Sequence, residues 1–240
     1  MFKVFDRRFK GWIAAITLAL STLFLMPLVA QAANEVLVDS SNSIFNVVTV
    51  YKVDKSEQNK TLTDLLKLNQ ENLPQVSGFL NTSILNGQDE SEIIALSQWK
   101  DLSSFQSYAK QGQRNINNIT PQVFACQVQH TETRNTAPSF SEKDTIMFSQ
   151  FKMKPGKKQS ELTAIVTQEM PGVLQMVSGL QWAAVCPSTD KSTIALLARW
   201  NSRGDFKSLG QKPGFEKESN YWETYANNEH GLYDVVKIIR

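Results

Sequence analysis

Hydrophobic positions along this chain switch between two spacings, and the switches mark out its elements. Ile44-Phe-Asn-Val-Val-Thr-Val-Tyr-Lys-Val53 is dense in β-branched and aromatic residues and predicts a strand. Phe45, Val47, Tyr51 and Val53 lie on one face of it and Ile44, Val48 and Val50 on the other, so both faces expect burial. After the charged loop Asp54–Lys60, Leu62, Leu65, Leu66, Asn69 and Leu73 fall on one helical face, and Pro74 closes that helix. Residues 76–85 return to a strand pattern, and Asn86-Gly87 turns the chain into Glu92–Lys100 as a hairpin partner. Asp101 or Ser103 caps a second helix carrying Leu102, Phe105, Tyr108 and Ala109, with Gln106 placed to complete a capping box with Ser103. Val123–Val128 is a fourth strand. The order is β-α-β-β-α-β, the ferredoxin-like unit.

The same order then begins again. Val76-Ser77-Gly78, Trp99 and Phe105 reappear as Val177-Ser178-Gly179, Trp200 and Phe206, each 101 positions on. Equal spacings without a gap predict two copies of one unit. The polar, proline-containing stretch 131–143 reads as the linker between a first repeat at 44–130 and a second at 144–240. In the second copy Thr145–Met153 is a strand, and Leu162, Ile165, Val166 and Met170 mark a helix ending near Pro171-Gly172. Residues 174–185 and 192–200 are paired strands, Ser202 with Asp205 offers a cap, and Leu232–Ile239 is the last strand. Before it, Gly210–His230 is an insertion holding Phe215, Tyr221, Trp222 and Tyr225. Large residues on both strand faces predict that the sheets of the two units pack together as an internal dimer.

Composition changes this picture mainly at the N-terminus. Lys3, Arg7, Arg8 and Lys10 precede an apolar run from Trp12 to Val29, and Ala30-Gln31-Ala32 is a small-x-small site. Residues 1–32 therefore read as a secretory signal peptide followed by a polar lead-in at 33–43. The competing reading is an uncleaved membrane anchor, the one membrane contact the sequence suggests. Removing the signal takes the net charge from +2 to −1, which leaves no basic stripe for nucleic acid and predicts a periplasmic or secreted protein. The two cysteines, Cys126 and Cys186, carry no metal-site spacing, and no metal is expected.

These residues resemble the antibiotic-biosynthesis-monooxygenase family of dimeric α+β barrels. The β-α-β-β-α-β order carries the resemblance, with the Ser-Gly-Phe that enters the second strand and the tryptophan that ends the third before a capped helix. It implies a tandem ferredoxin-like α+β barrel within one chain. In such barrels the fourth strand of one unit lies beside the second strand of the other, which implies a Cys126–Cys186 disulfide between the halves. Two buried free thiols are the alternative.

The family's enzymes oxidise phenolic or quinol-like aromatics with molecular oxygen, or break down haem. The phenolic chemistry needs no cofactor, because the deprotonated substrate supplies the electrons. The protein must hold the ring, desolvate it and donate hydrogen bonds to its oxygen. By resemblance Trp99 supplies an indole N–H, Asn46 stands for the family's asparagine, and Tyr108 is reachable from the second helix. Tyr51, Trp182, Trp200, Trp222 and Tyr225 are further aromatic candidates for binding a small aromatic substrate. In the second copy Met147 replaces Asn46 and Leu209 replaces Tyr108, so a single oxidising site is expected in the first. Haem breakdown fits less well, because neither His130 nor His230 falls on the second helix, where the family places its ligand. A tryptophan at a strand end also serves simply as packing. A non-catalytic binding or scaffold module on the same barrel is thus the second functional reading.

Overall fold

The computed structural model describes residues 35–112, 116–208 and 221–240. The expected signal peptide lies outside the described residues, as do Phe215 and most of the expected aromatic insertion. Among the described residues no helix is long and apolar enough to cross a membrane.

In chain order the first half contains β1 (Val36–Leu37), β2 (Phe45–Lys52), α1 (Gln58–Asn72), β3 (Phe79–Gly87), β4 (Glu92–Trp99), α2 (Leu102–Ala109), β5 (Gln122–Gln127), β6 (His130–Thr133) and β7 (Ser139–Phe140). The second half contains β8 (Thr145–Met153), α3 (Gln159–Met176), β9 (Leu180–Pro187), β10 (Thr193–Trp200), the short α4 (Arg203–Lys207), a 3-10 turn (Tyr221–Thr224) and β11 (Ala226–Ile239). The fold is α+β, built on one curled antiparallel sheet of nine strands in the order β5-β2-β4-β3-β11-β8-β10-β9-β6. The sequence pattern predicts that the sheets of the two halves pack together; their inner faces share one core, and their strands are continuous in one sheet. One face turns inward and buries Val48, Val50, Ile94, Leu96, Phe148, Trp182 and Leu197 in a common core. The other face carries the helices, with Leu65 of α1 beside Tyr51 and Ala95, and Leu162, Val166, Met170 and Leu174 of α3 beside Met147 and Phe151.

The two ends of this sheet are consecutive pieces of chain. β5 pairs with β2, and β6 pairs with β9. Between them the Gln129 N–H donates to the Val185 carbonyl at 2.9 Å, and the Thr189 N–H donates to the Ala125 carbonyl at 2.9 Å. Cys126 on β5 and Cys186 on β9 form a disulfide there, with Cα atoms 5.5 Å apart. The stretch expected as a linker thus contributes β6 and β7, because its threonines can cover the open edge of β9. The expected lead-in is also structured. β1 pairs with β7, and Val36, Val38 and Phe140 join the inner core.

Several boundaries differ from the pattern: α1 begins at Gln58, inside the expected loop, and β3 and β9 begin at Phe79 and Leu180, later than expected. α3 runs through Pro171 to Met176, since Leu174 is still buried and Arg134 supplies what the helix end lacks: its guanidinium donates to the carbonyls of Leu174, Val177 and Leu180. β11 begins at Ala226, inside the expected insertion, because one strand serves two neighbours, β8 along residues 226–234 and β3 along 233–239.

The repeated glycine, tryptophan and phenylalanine have a packing origin in both halves. Gly78 has φ +81°, and a Cβ there or at Gly179 would strike the first turn of the following helix, at Ser104 or Asp205. The Lys100 N–H donates to the Gly78 carbonyl at 2.8 Å, and the Asn201 N–H donates to that of Gly179 at 2.9 Å. Trp99 and Phe105 then meet edge-to-face with centroids 5.7 Å apart, and Trp200 and Phe206 at 5.3 Å.

Candidate functional site

Strand register places the chemistry. On the helix-facing side of the first half, Phe45, Trp99 and Phe79 form one row across β2, β4 and β3. Val47, Ser97 and Thr82 form the next row, then Thr49, Ala95 and Ile84, then Tyr51 and Ile93. Small side chains at Ala95, Ser97 and Thr49 leave space beneath α1 and α2, and a cleft of about 90 Å³ lies there. Tyr51, Thr82, Trp99, Phe105, Tyr108 and Val123 are among its walls.

Three of the expected site residues meet in this cleft: Trp99, Tyr108 and Tyr51. Trp99 is 1% exposed and packs against Phe79, Phe105 and Tyr108, with centroids 5.4–5.7 Å apart. Its indole N–H donates to Ser97 Oγ at 2.9 Å, so it is held within the wall rather than aimed at the space. Burial, with Tyr108 nearby, pushes the Tyr51 hydroxyl up to about 12, which keeps it a neutral donor at ordinary pH. None of the described lining residues carries a carboxylate, amine or imidazole. Sequence reasoning missed Thr82, whose buried hydroxyl has no hydrogen-bond partner among the described residues, and Ser97. The signal for both was their place on the same strand face as Tyr51 and Trp99, which only the pairing register reveals.

Asn46 is not part of this site. Side chains alternate along a strand, so Asn46 faces inward while Val47 faces the helices. There it is 2% exposed and accepts a hydrogen bond from Gln98 Nε2 at 3.2 Å, and the same Gln98 nitrogen donates to the Leu37 carbonyl at 2.8 Å. Trp182 also faces inward, its N–H donating to the Ser139 carbonyl at 2.9 Å. Trp200, Trp222 and Tyr225 gather instead on the helix-facing side of the second half, around Phe151 and Phe206.

Register also corrects the expected correspondence between halves. Trp99 and Trp200 end β4 and β10, and Ser97 and Ala198 lie opposite Val47 and Met147. Met147 therefore answers to Val47, one residue off the gapless offset, and the partner of Asn46 is Ile146. Read this way, the second half replaces the cleft. Ala95 becomes Leu196 and Val47 becomes Met147, which fill space; Tyr51 becomes Phe151, Thr82 becomes Ala183 and Ser97 becomes Ala198, which remove hydroxyls. Leu209, the counterpart expected for Tyr108, lies outside the described residues. Among the described residues no three His, Cys, Asp or Glu side chains converge to hold a metal ion.

Sheet and flanking helices together define the class as an α+β protein of ferredoxin-like fold. The solved structures it resembles include an anthrone oxidase-like protein, with a TM-score of 0.67 and 14% identity over 85% of this chain and 95% of that one. A candidate monooxygenase from Fusobacterium nucleatum gives 0.55 and 12% over 82% and 94%. One from Lactobacillus acidophilus gives 0.51 and 8% over 82% and 96%. The sequence matches no protein-family model and no curated protein.

Proposed function

We propose that this chain is an exported, tandemly duplicated barrel of the antibiotic-biosynthesis-monooxygenase type, and that it oxidises a single-ring phenol or quinol with molecular oxygen and no cofactor. The observation that carries this is the aromatic cleft of the first half, whose described walls are uncharged, with Trp99 and Tyr108 among them and the neutral Tyr51 hydroxyl at its edge. Its counterpart face in the second half is filled and lacks the hydroxyls of Tyr51, Thr82 and Ser97, keeping only that of Ser149 in the place of Thr49, as expected where one of two copies keeps the chemistry. A cleft of about 90 Å³ is of the order of the roughly 150 Å³ that takes one benzene ring. It is far below the several hundred Å³ of multi-ring ligand sites. For a hydroquinone the balance is quinol plus O2 to hydroxyquinone plus water, one oxygen atom entering the ring and the other leaving reduced. The substrate gives its proton to solvent, and hydroxyl donors favour the resulting anion in the dry cleft.

One observation favours the second reading, a binding module on the same barrel. The described lining offers no base to take the proton, and the Trp99 N–H is already committed to Ser97. Oxygen uptake by the purified protein with single-ring hydroquinones, chelator present, separates the two. The oxidase reading expects uptake above the spontaneous rate that falls at least tenfold in Tyr51→Phe or Trp99→Ala and is unchanged in Asn46→Ala. Spontaneous-rate uptake by a protein whose melting temperature the same compounds still raise assigns the binding module.

A further inference from the structure

Thr82 sits at the floor of the cleft on β3, in the row of Val47 and Ser97. Its side chain is fully buried, and its Oγ1 has no hydrogen-bond partner among the described residues. A buried hydroxyl left unpaired costs about 1–3 kcal/mol, so such a group calls for a specific use. The neighbouring hydroxyl, on Ser97, is fully used: it accepts from Trp99 and donates to the Val47 carbonyl at 3.4 Å. Tyr51 stands two rows further along β2, about 13 Å away by strand rise, at the other end of the cleft. In the second half the position of Thr82 is taken by Ala183, on the face where the space is filled. The unpaired hydroxyl therefore occurs in the half with the cleft and is missing from the half without it.

We propose that Thr82 Oγ1 is the specificity-determining contact of this site, and that the ligand is a single aromatic ring entering with one phenolic or carbonyl oxygen toward it. The proposal rests on the cleft being the binding site, and not on whether oxidation follows. A site built to pair a ligand oxygen discriminates against the ligand that lacks it, because the hydroxyl is otherwise left buried and unpaired. Phenol, hydroquinone and benzoquinone share the required oxygen; toluene has the shape without it. Trp99 and Phe105 would supply the apolar walls for any of them.

The test is titration calorimetry of the purified protein with phenol, hydroquinone, benzoquinone and toluene, using wild type, Thr82→Val and Thr82→Ser. Wild type is expected to bind the oxygenated rings at least tenfold more tightly than toluene. Thr82→Val, nearly the same shape, should lose that tenfold preference while holding toluene as well as before or better. Thr82→Ser should keep it. Because Thr82→Val removes an unpaired hydroxyl, its melting temperature should not fall, and a thermal scan checks that the variant is folded. Equal binding of phenol and toluene by wild type, or phenol affinity unchanged in Thr82→Val, overturns the role of Thr82 and leaves the cleft standing as the site. Loss of phenol binding in Thr82→Val by a protein that takes up no oxygen upholds Thr82 and overturns the oxidase reading alone. Binding of none of the four compounds overturns both.

Discussion

Trp99 and Trp200 end equivalent strands, stack on equivalent phenylalanines and differ by one hydroxyl beneath them. Ser97 Oγ accepts the Trp99 N–H at 2.9 Å, whereas Ala198 stands in the same place below Trp200, whose buried N–H has no partner among the described residues. Ala198→Ser should therefore stabilise the protein by about 1 kcal/mol, the net gain of one buried hydrogen bond. Urea unfolding measures it, with an unchanged slope showing that compactness is unaltered. A lowered midpoint would mean that the introduced hydroxyl cannot reach the indole. The tryptophans themselves were legible as a motif, and so was the alternative that they pack rather than react. What the sequence could not display was which neighbours they face. Asn46 and Val47 are adjacent letters on opposite sides of a strand, and a one-residue shift of register between β2 and β8 exchanges their counterparts.

At the scale of elements, the starts of α2 and α4 were readable because a cap is local chemistry, whereas α1 and α3 begin without a side-chain cap. Asp101 Oδ1 accepts from the Ser104 N–H at 2.8 Å and from the hydroxyls of Ser103 and Ser104 at 2.7 and 2.9 Å. Ser202 accepts from the Asp205 N–H at 3.2 Å at the start of α4. Led by the Ser103 hydroxyl, these bonds hold the Asp101 carboxyl at about 2, below its usual 3.8. A depressed carboxyl stabilises the fold above its unfolded value and ceases to as pH falls through the folded one. The α2 contribution should thus be intact above about pH 4 and fade toward about pH 2. Comparing melting temperatures of wild type and Asp101→Asn across that range checks it, and the gap between them should close on acidification. Elements that depend on distant partners were less readable. β6 and β7 look like linker until β9 offers an edge and β1 a mate, and α3 passes Pro171 because Arg134, far away in sequence, holds its last carbonyls.

For the whole molecule, Val36–Arg240 form one compact unit, and the seam between β5 and β9 is where its sheet is drawn together. Cys126 and Cys186 are 60 residues apart in sequence, so in the chain-entropy view their bond removes about 4 kcal/mol of freedom from the unfolded chain. Reduction, or Cys126→Ala with Cys186→Ala, should lower the melting temperature by several degrees, and the oxidised denatured protein should bind no thiol-alkylating reagent. Two alkylatable thiols in the oxidised protein would remove the disulfide from the account. The doubling of Val-Ser-Gly, Trp and Phe was visible in the letters; the interlacing of the halves was not, since strand order is a property of pairing.

That interlacing has a consequence for how the protein is made. β3, from the middle of the first half, has β11 as its neighbour on one side, and β11 reaches it only through Tyr233–Ile239. During synthesis, and again during passage across a membrane if the chain is exported, the first half must wait with an unfinished edge until the final strand emerges. A nonsense codon that removed only this end of β11 would spare the cleft yet strand the half that contains it. Quality control would therefore sense the half that contains the cleft through residues translated long after it.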